Sequence, residues 1–313
     1  MNALRAMWSD TRMVVLTALS AALFAAILIP FKIIPIIPGV TEVRPANAIP
    51  IVCSLLFGPA GAWGAAFGNL VGDFFLGLGP GSIFGMVGNF LYGFIPYAFW
   101  RAFFGSVEPQ SRKITHWLAL VFVCLVSSAA CAFTIAWGID VVIRGVPFAV
   151  LGTIIFFNNF VMAILLAPPL LFALLPRVKA WGLLYQGILP AAAVSRPRFA
   201  WLGVVLVTLG SLGGLGGGLA IGTGLYDQPL GMPSFVRKVM HLAVPVAPKG
   251  AVAAPEAAIH PAGSVQAPQK EAGGDSAKSP GSSASRARVT GRAGLGLGLL
   301  PALALLFLGI LLL

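Results

Sequence analysis

The sequence predicts an all-α fold: a polytopic membrane helical bundle with a six-helix core and one or two extra C-terminal membrane helices. Two observations carry this. Hydrophobic residues fill 58% of the 313 positions and charged residues only 9%, against roughly 25% charged in soluble domains. So few charges cannot cover a water-exposed surface at this length, which argues against a soluble enzyme. The apolar residues also come in long uncharged runs, and about 20 such residues cross a bilayer.

The elements follow in order. The first apolar run, Met13 to Pro30, is preceded by Arg5 and Arg12. A cleaved signal would need a small-x-small site after a short apolar core. The Ala-rich run continues into Ile27–Pro30 without one, so it reads as a retained first helix. A loop follows at Ile36–Pro45, then a short helix at Ala46–Phe57. Gly58-Pro59-Ala60-Gly61 breaks it, since Gly and Pro punctuate helices. The third helix is Ala62–Leu76, and a second Gly/Pro turn spans Leu78–Ser82. Helix four is Ile83–Phe104, helix five Thr115–Ile139 and helix six Phe148–Leu175, with Glu108, Arg112 and Lys113 between four and five.

The chain therefore divides into a core at 1–176, a connector and seventh membrane helix at 177–224, a flexible linker at 225–292 and a C-terminal membrane helix at 293–313. Pro, Ala, Gly and Ser dominate 225–292, a composition that cannot bury enough apolar surface to fold alone.

Lys and Arg gather in cytoplasmic loops. Arg5 and Arg12 place the N-terminus inside a cell membrane crossed many times. Arg101, Arg112 and Lys113 fall inside after four crossings, and Arg177, Lys179, Arg196 and Arg198 after six. The outer loops carry Lys32, Arg44 and Arg144. This count puts 225–292 outside and the C-terminus inside, yet Arg286, Arg288 and Arg292 argue for an inside location just before the last run. Either the seventh run does not span or the final run inserts in the opposite sense. The net charge of +11 is explained by topology, not by nucleic acid, because the cations sit singly in loops or in the linker.

Polar residues inside membrane helices are expensive and mark function. By this topology they all fall in the outer half of the core: Glu42, Arg44 and Asn47 at the outer entrance of helix two, Asn69 and Asp73 on one face of helix three, Asn89 and Tyr92 in helix four, Asp140 ending helix five, and Asn158 and Asn159 in helix six. The inner halves read as almost purely apolar. Amides and carboxylates with aromatic walls such as Phe74, Phe90, Phe156 and Phe157 suit a small-solute site, which is mostly apolar with a few placed polar groups. Any one Asn serves equally well as an interhelical bond. Ala18, Ala22 and Ala26 form a small-residue stripe on helix one, and Gly210, Gly214, Gly218 and Gly222 another on the seventh run. Such stripes pack inside a bundle by default, and one facing lipid would dock another subunit. Cys53, Cys124 and Cys131 lie in apolar stretches and the three histidines are scattered, so no metal site and no cofactor is expected.

The stretch Thr41 to Phe75 resembles helices two and three of S-components, the substrate-binding subunits of energy-coupling factor (ECF) transporters. The matching features are Ile49-Pro50, the turn Phe57-Gly58-Pro59-Ala60-Gly61, the Ala18/Ala22/Ala26 stripe and Phe157-Asn158-Asn159. The resemblance covers about residues 10–176 and includes the six-helix count. It implies a subunit that captures a vitamin-like or nucleobase-like micronutrient outside, with the loop after helix one closing over it. It implies that the Ala stripe docks a transmembrane coupling subunit joined to two ATPases. The segments Glu42–Asn47 and Gly68–Asp73 are nearest the branch whose solutes are unsettled, a queuosine precursor among them. Asn and Asp suit a heterocycle with several donors and acceptors, a free metal fits poorly, and cobalamin and riboflavin stay open. The chain has no phosphate-binding loop, so the energy is expected from partners.

Three rivals stand beside this reading. A membrane-embedded enzyme needs convergent acid–base groups, and the core offers Asp73, Asp140 and Glu42 with His116 at a helix start. A structural or assembly membrane protein would account for the linker and last helix. A secondary transporter working alone would show an inverted repeat, and no second half matches the first.

Overall fold

The computed structural model describes residues 2–32, 44–109, 113–223 and 295–313. Its helices are α1 (Asn2–Ala6), α2 (Thr11–Lys32), α3 (Ala48–Phe57), α4 (Pro59–Leu76), α5 (Gly81–Phe104), α6 (Ile114–Trp137), α7 (Phe148–Ala180), α8 (Tyr185–Ile188), α9 (Ala191–Val194), α10 (Ala200–Gly222) and α11 (Leu300–Leu312). Among the described residues six stretches are long and apolar enough to cross a membrane: Thr11–Phe31, Gly81–Phe104, Ile114–Val142, Phe148–Ile188, Ala200–Gly222 and Leu295–Leu312. The chain is thus a multi-pass membrane helical bundle, as the sequence predicts.

Local chemistry sets the helix ends. The Asp10 carboxylate accepts from the backbone N–H of Arg12 at 2.8 Å and starts α2, a side-chain cap on orphan donors. Gly58 closes α3 with φ +61°, its N–H donating to the Ser54 carbonyl at 2.8 Å. Pro59 then opens α4, where a missing N–H costs nothing. α6 runs on through a π-helical turn at Gly138–Val142. There the buried Asp140 accepts from the N–H of Phe148 at 2.8 Å and caps α7. α7 continues past the expected end at Leu175, through Pro176, to Ala180.

α4 is the centre of the first half and packs on α2, α3 and α5. Its glycines permit this. A Cβ on Gly64 would lie 2.3 Å from the Ser20 Cβ, and one on Gly68 would lie 2.8 Å from the Ala21 carbonyl oxygen. The same pairs show that α2 and α4 run parallel. α3 has 10 residues, so it rises only about 15 Å, half of the ~30 Å hydrocarbon thickness.

In the second half α10 lies on α6, α7 and α11. Gly203 faces Gly309 and Leu313, Gly210 faces Leu306, and Gly217 faces Leu299, so α10 and α11 are antiparallel along their length. The glycine stripe is internal: Gly214 meets the Phe133 ring and Gly218 the Phe148 ring.

The two ends of the bundle differ in charge. Arg5, Arg12, Arg101, Lys113, Arg177, Lys179, Arg196 and Arg198 sit at one end, the basic end. Lys32, Arg44 and Arg144 are the described cations at the other, the amide end. Arg101, counted from sequence among the inside charges at the end of helix four, is buried at 5% exposure. Its guanidinium donates to the Tyr97 hydroxyl at 2.9 Å and to the carbonyl of Leu313, which ties α11 to α5. The inner halves are thus less apolar than the sequence suggested: Ser54, Arg101 and His116 are buried there as well. The linker reading for 225–292 lies outside the described residues.

A contrast between two glycines of α10 tests the packing. A Cβ at Gly210 would stand 2.5 Å from the Leu306 nitrogen, whereas Gly213 has nothing within 4 Å. Gly210→Val is expected to lower the melting midpoint in detergent, overpacking costing about 1–3 kcal/mol. Gly213→Ala should leave the midpoint within error. Equal midpoints for both variants would show that the α10–α11 contact is not close.

Candidate functional site

Eight of the ten predicted polar residues, all but Glu42 and Asp140, line up as a column in the amide half. At its foot lies a node built from three elements. The 3-10 turn Pro45–Asn47 brings Asn47 to the start of α3, and the Asn47 amide donates to the Asn159 side-chain oxygen on α7 at 2.6 Å. The Tyr92 hydroxyl on α5 lies 2.9 Å from the Asn47 carbonyl and 3.1 Å from the Asn159 carbonyl, with one proton to share between two acceptors. All three residues are buried, at 4%, 6% and 0% exposure. Beside them the backbone N–H of Arg44 donates to the Asn158 side-chain oxygen at 3.1 Å. Arg44 and Asn158 are half-buried.

The depth of the node follows from helix geometry. Tyr92 stands 92 − 81 = 11 residues into α5, and Asn159 stands 159 − 148 = 11 residues into α7. At 1.5 Å per residue each lies about 16 Å below its helix end. Asn47, expected at the outer entrance of helix two, therefore lies near mid-bundle, because α3 is a half-length helix.

The upper part of the column belongs to α4 and α5. The Asn69 amide donates to the Asp73 carboxylate at 3.1 Å, one turn along α4. Gly85 of α5 lies against both: a Cβ there would be 2.8 Å from the Asn69 nitrogen and 3.4 Å from the Asp73 oxygen. Asn89 donates to the Gly85 carbonyl at 2.9 Å. Gly85, Asn89 and Tyr92 fall at i, i+4 and i+7, one face of a helix, so α5 links the upper pair to the node.

The expected aromatic walls divide. Phe74 and Phe157 are exposed at 69% and 57%. Phe90 packs on Trp63 with ring centroids 4.8 Å apart, and Phe156 stacks on Phe160. Asp140 caps α7 and is held there as a structural group. Glu42 lies outside the described residues, as does most of the loop expected to close over a solute.

Sequence reading missed two residues of the column. Gly85 gives no polar signal and matters only because two side chains press against it. Cys131 of α6 was read as a buried hydrophobe, and its thiol is beside the Asn159 amide. Among the described residues no three His, Cys, Asp or Glu side chains are grouped to hold a metal ion.

Chemically the column offers amide donors, amide and carbonyl acceptors, one carboxylate and one phenol, with Asn47, Asn69, Asn89, Tyr92 and Asn159 buried. It can read a flat polar solute by directional hydrogen bonds.

The Ala18, Ala22 and Ala26 positions of α2 are exposed, while Met13, Leu16, Ser20, Phe24 and Leu28 on the other face are buried. The default of internal packing for this stripe is overturned: α4 brings its own glycines to α2, so Ser20 and Phe24 fill that contact.

The family model described as QueT transporter matches residues 14–176. No curated protein and no solved structure matches the chain. The matched residues hold every part of the column described above; the chain belongs to the QueT transporter family, a family of ECF transporter S-components.

Proposed function

We propose that this membrane transporter component is the solute-binding subunit of an ECF-type importer, working without catalysis of its own. It takes a nucleobase-like micronutrient, of which a queuosine precursor is the leading candidate, into the column at the amide end. That end faces outward and the basic end faces the cytoplasm across the cell membrane, as the excess of Lys and Arg at the basic end supports.

The observation that carries the binding role is the convergence of Arg44, Asn47, Tyr92, Asn158 and Asn159 at one node, with Asn69, Asp73 and Asn89 above it. Glu42 is proposed to join them. Buried amides keep the same partners whether or not a solute is present only if nothing better arrives. A heterocycle presenting both donors and acceptors exchanges for the Asn47–Asn159 and Asn69–Asp73 bonds without leaving a polar atom unpaired. A purely apolar solute would strand them, at about 1–3 kcal/mol per group.

The delivery step needs partners. The exposure of Ala18, Ala22 and Ala26 on α2 supports docking of a coupling subunit's helix there, since small side chains let backbones meet in a membrane. Two ATPases attached to that subunit supply the work.

Two measurements test this. Purified protein in detergent is titrated with vitamins and purine-like queuosine precursors and followed by native mass spectrometry. One compound should bind one-to-one, and Asn158→Ala, at a half-buried position, should weaken it roughly five- to hundredfold for a loss of about 1–3 kcal/mol with the melting midpoint kept. Equal affinity in wild type and Asn158→Ala would sink the site assignment. For docking, Ala22→Leu should abolish cellular uptake while leaving solute binding intact; binding lost together with uptake would make the stripe a folding element instead.

A further inference from the structure

α6 closes one side of the node. It runs antiparallel to α5, since Gly81 faces Ile139 near one end and Phe99 faces Phe122 near the other. Gly88 of α5 fixes the register: a Cβ there would lie 2.5 Å from the Ile135 side chain and 3.3 Å from the Cys131 carbonyl oxygen. One turn further along α5 is Tyr92, and one turn back along α6 is Ser128. Ser128, Cys131 and Ile135 fall at i, i+3 and i+7, one face of a helix. The Ser128 hydroxyl accordingly lies beside that of Tyr92.

Ser128 is fully buried, yet its hydroxyl makes no hydrogen bond among the described residues. Depth alone does not impose this. The adjacent Ser127 is equally buried and turns its hydroxyl back to the Val123 carbonyl at 2.6 Å, the local outlet open to serine within a helix. Ser128 makes no such bond to the Cys124 carbonyl. Buried polar groups are nearly always paired, so an unpaired donor at the node points to a partner from outside the chain.

Acceptors beside it are in surplus. The Tyr92 hydroxyl has one proton and two carbonyls within reach, those of Asn47 and Asn159. One of the two is always left over. The node thus holds an unused donor and an under-served acceptor, on either side of the Tyr92 oxygen. A solute edge with an acceptor next to a donor completes both. A cyclic amide, with C=O beside N–H, is such an edge.

We propose, on the reading of the column as a solute site, that Ser128 contacts the solute and selects a heterocycle with a cyclic-amide edge. Its hydroxyl donates to the ring carbonyl, and the ring N–H serves the backbone carbonyl that Tyr92 leaves over.

Native mass spectrometry of the full chain in detergent tests this with two probes. One is a deazaguanine queuosine precursor, which carries the cyclic amide. The other is its O-methyl ether, which lacks the ring N–H and the carbonyl. Wild type should prefer the precursor. Ser128→Ala and Ser128→Cys should each narrow that preference roughly five- to tenfold, the worth of one neutral hydrogen bond. The solute-free melting midpoint should stay at or above that of wild type, because an unpaired buried hydroxyl is removed. An unchanged preference in both variants would overturn the role of Ser128 and leave the column a solute site. A lowered midpoint, or an equal loss for both probes, would make Ser128 a packing residue. No binding of either probe by wild type would remove the queuosine-precursor reading of the column, and this role with it.

Discussion

A helix that stops halfway through a membrane must find partners for its end. α3 rises only about 15 Å, so its first residues lie at a depth where water cannot satisfy their backbone groups. An unmet donor or acceptor there costs several kcal/mol. The 3-10 turn before α3 answers part of that demand: the N–H of Asn47 donates to the Arg44 carbonyl at 3.0 Å and that of Ala48 to the Pro45 carbonyl. The Asn47 side chain then reaches Asn159 and the Tyr92 hydroxyl bonds the Asn47 carbonyl, which fixes the end of α3 to α5 and α7. In the proposed function an incoming polar solute exchanges for these same bonds.

Small residues serve opposite ends on different helices of the bundle. On α4 and α10 glycines face inward and bring helices to backbone contact, as at Gly64 against Ser20 and Gly210 against Leu306. On α2 the alanines face outward. Without a hydrophobic drive between helices in lipid, close approach is what makes helices associate. The inward glycines satisfy that requirement within the chain and leave the alanine face over.

Much of the architecture could be read from the residues. The long apolar runs gave the helices, and Gly58-Pro59 marked a turn whose φ of +61° a Cβ would resist. Charges did less well. Arg101 reads as one more cation at the inner end of an apolar run, and its bond to the Leu313 carbonyl joins residues 212 positions apart. Individual polar residues of the column were visible because Asn is costly in a membrane helix. Their pairing was not, since Asn47 and Asn159 are 112 positions apart. Which side of a helix faces its neighbours was equally hidden: the apolar content of α2 is high all round, so periodicity could not tell the alanine face from the Met13–Leu28 face. Gly85 carried no signal, because its role is to be absent.

The antiparallel pairing of α10 and α11 has a topological consequence. The end of α10 and the start of the last membrane stretch lie side by side, Gly217 against Leu299 and Gly298 against Ile221. Whatever joins them has its two stems held together. Closing such a connection costs only about 0.6 kcal/mol more for each doubling of a flexible chain. The length of the chain between those two stems is therefore nearly decoupled from the stability of the bundle, and residues can be gained or lost there without the membrane part registering it.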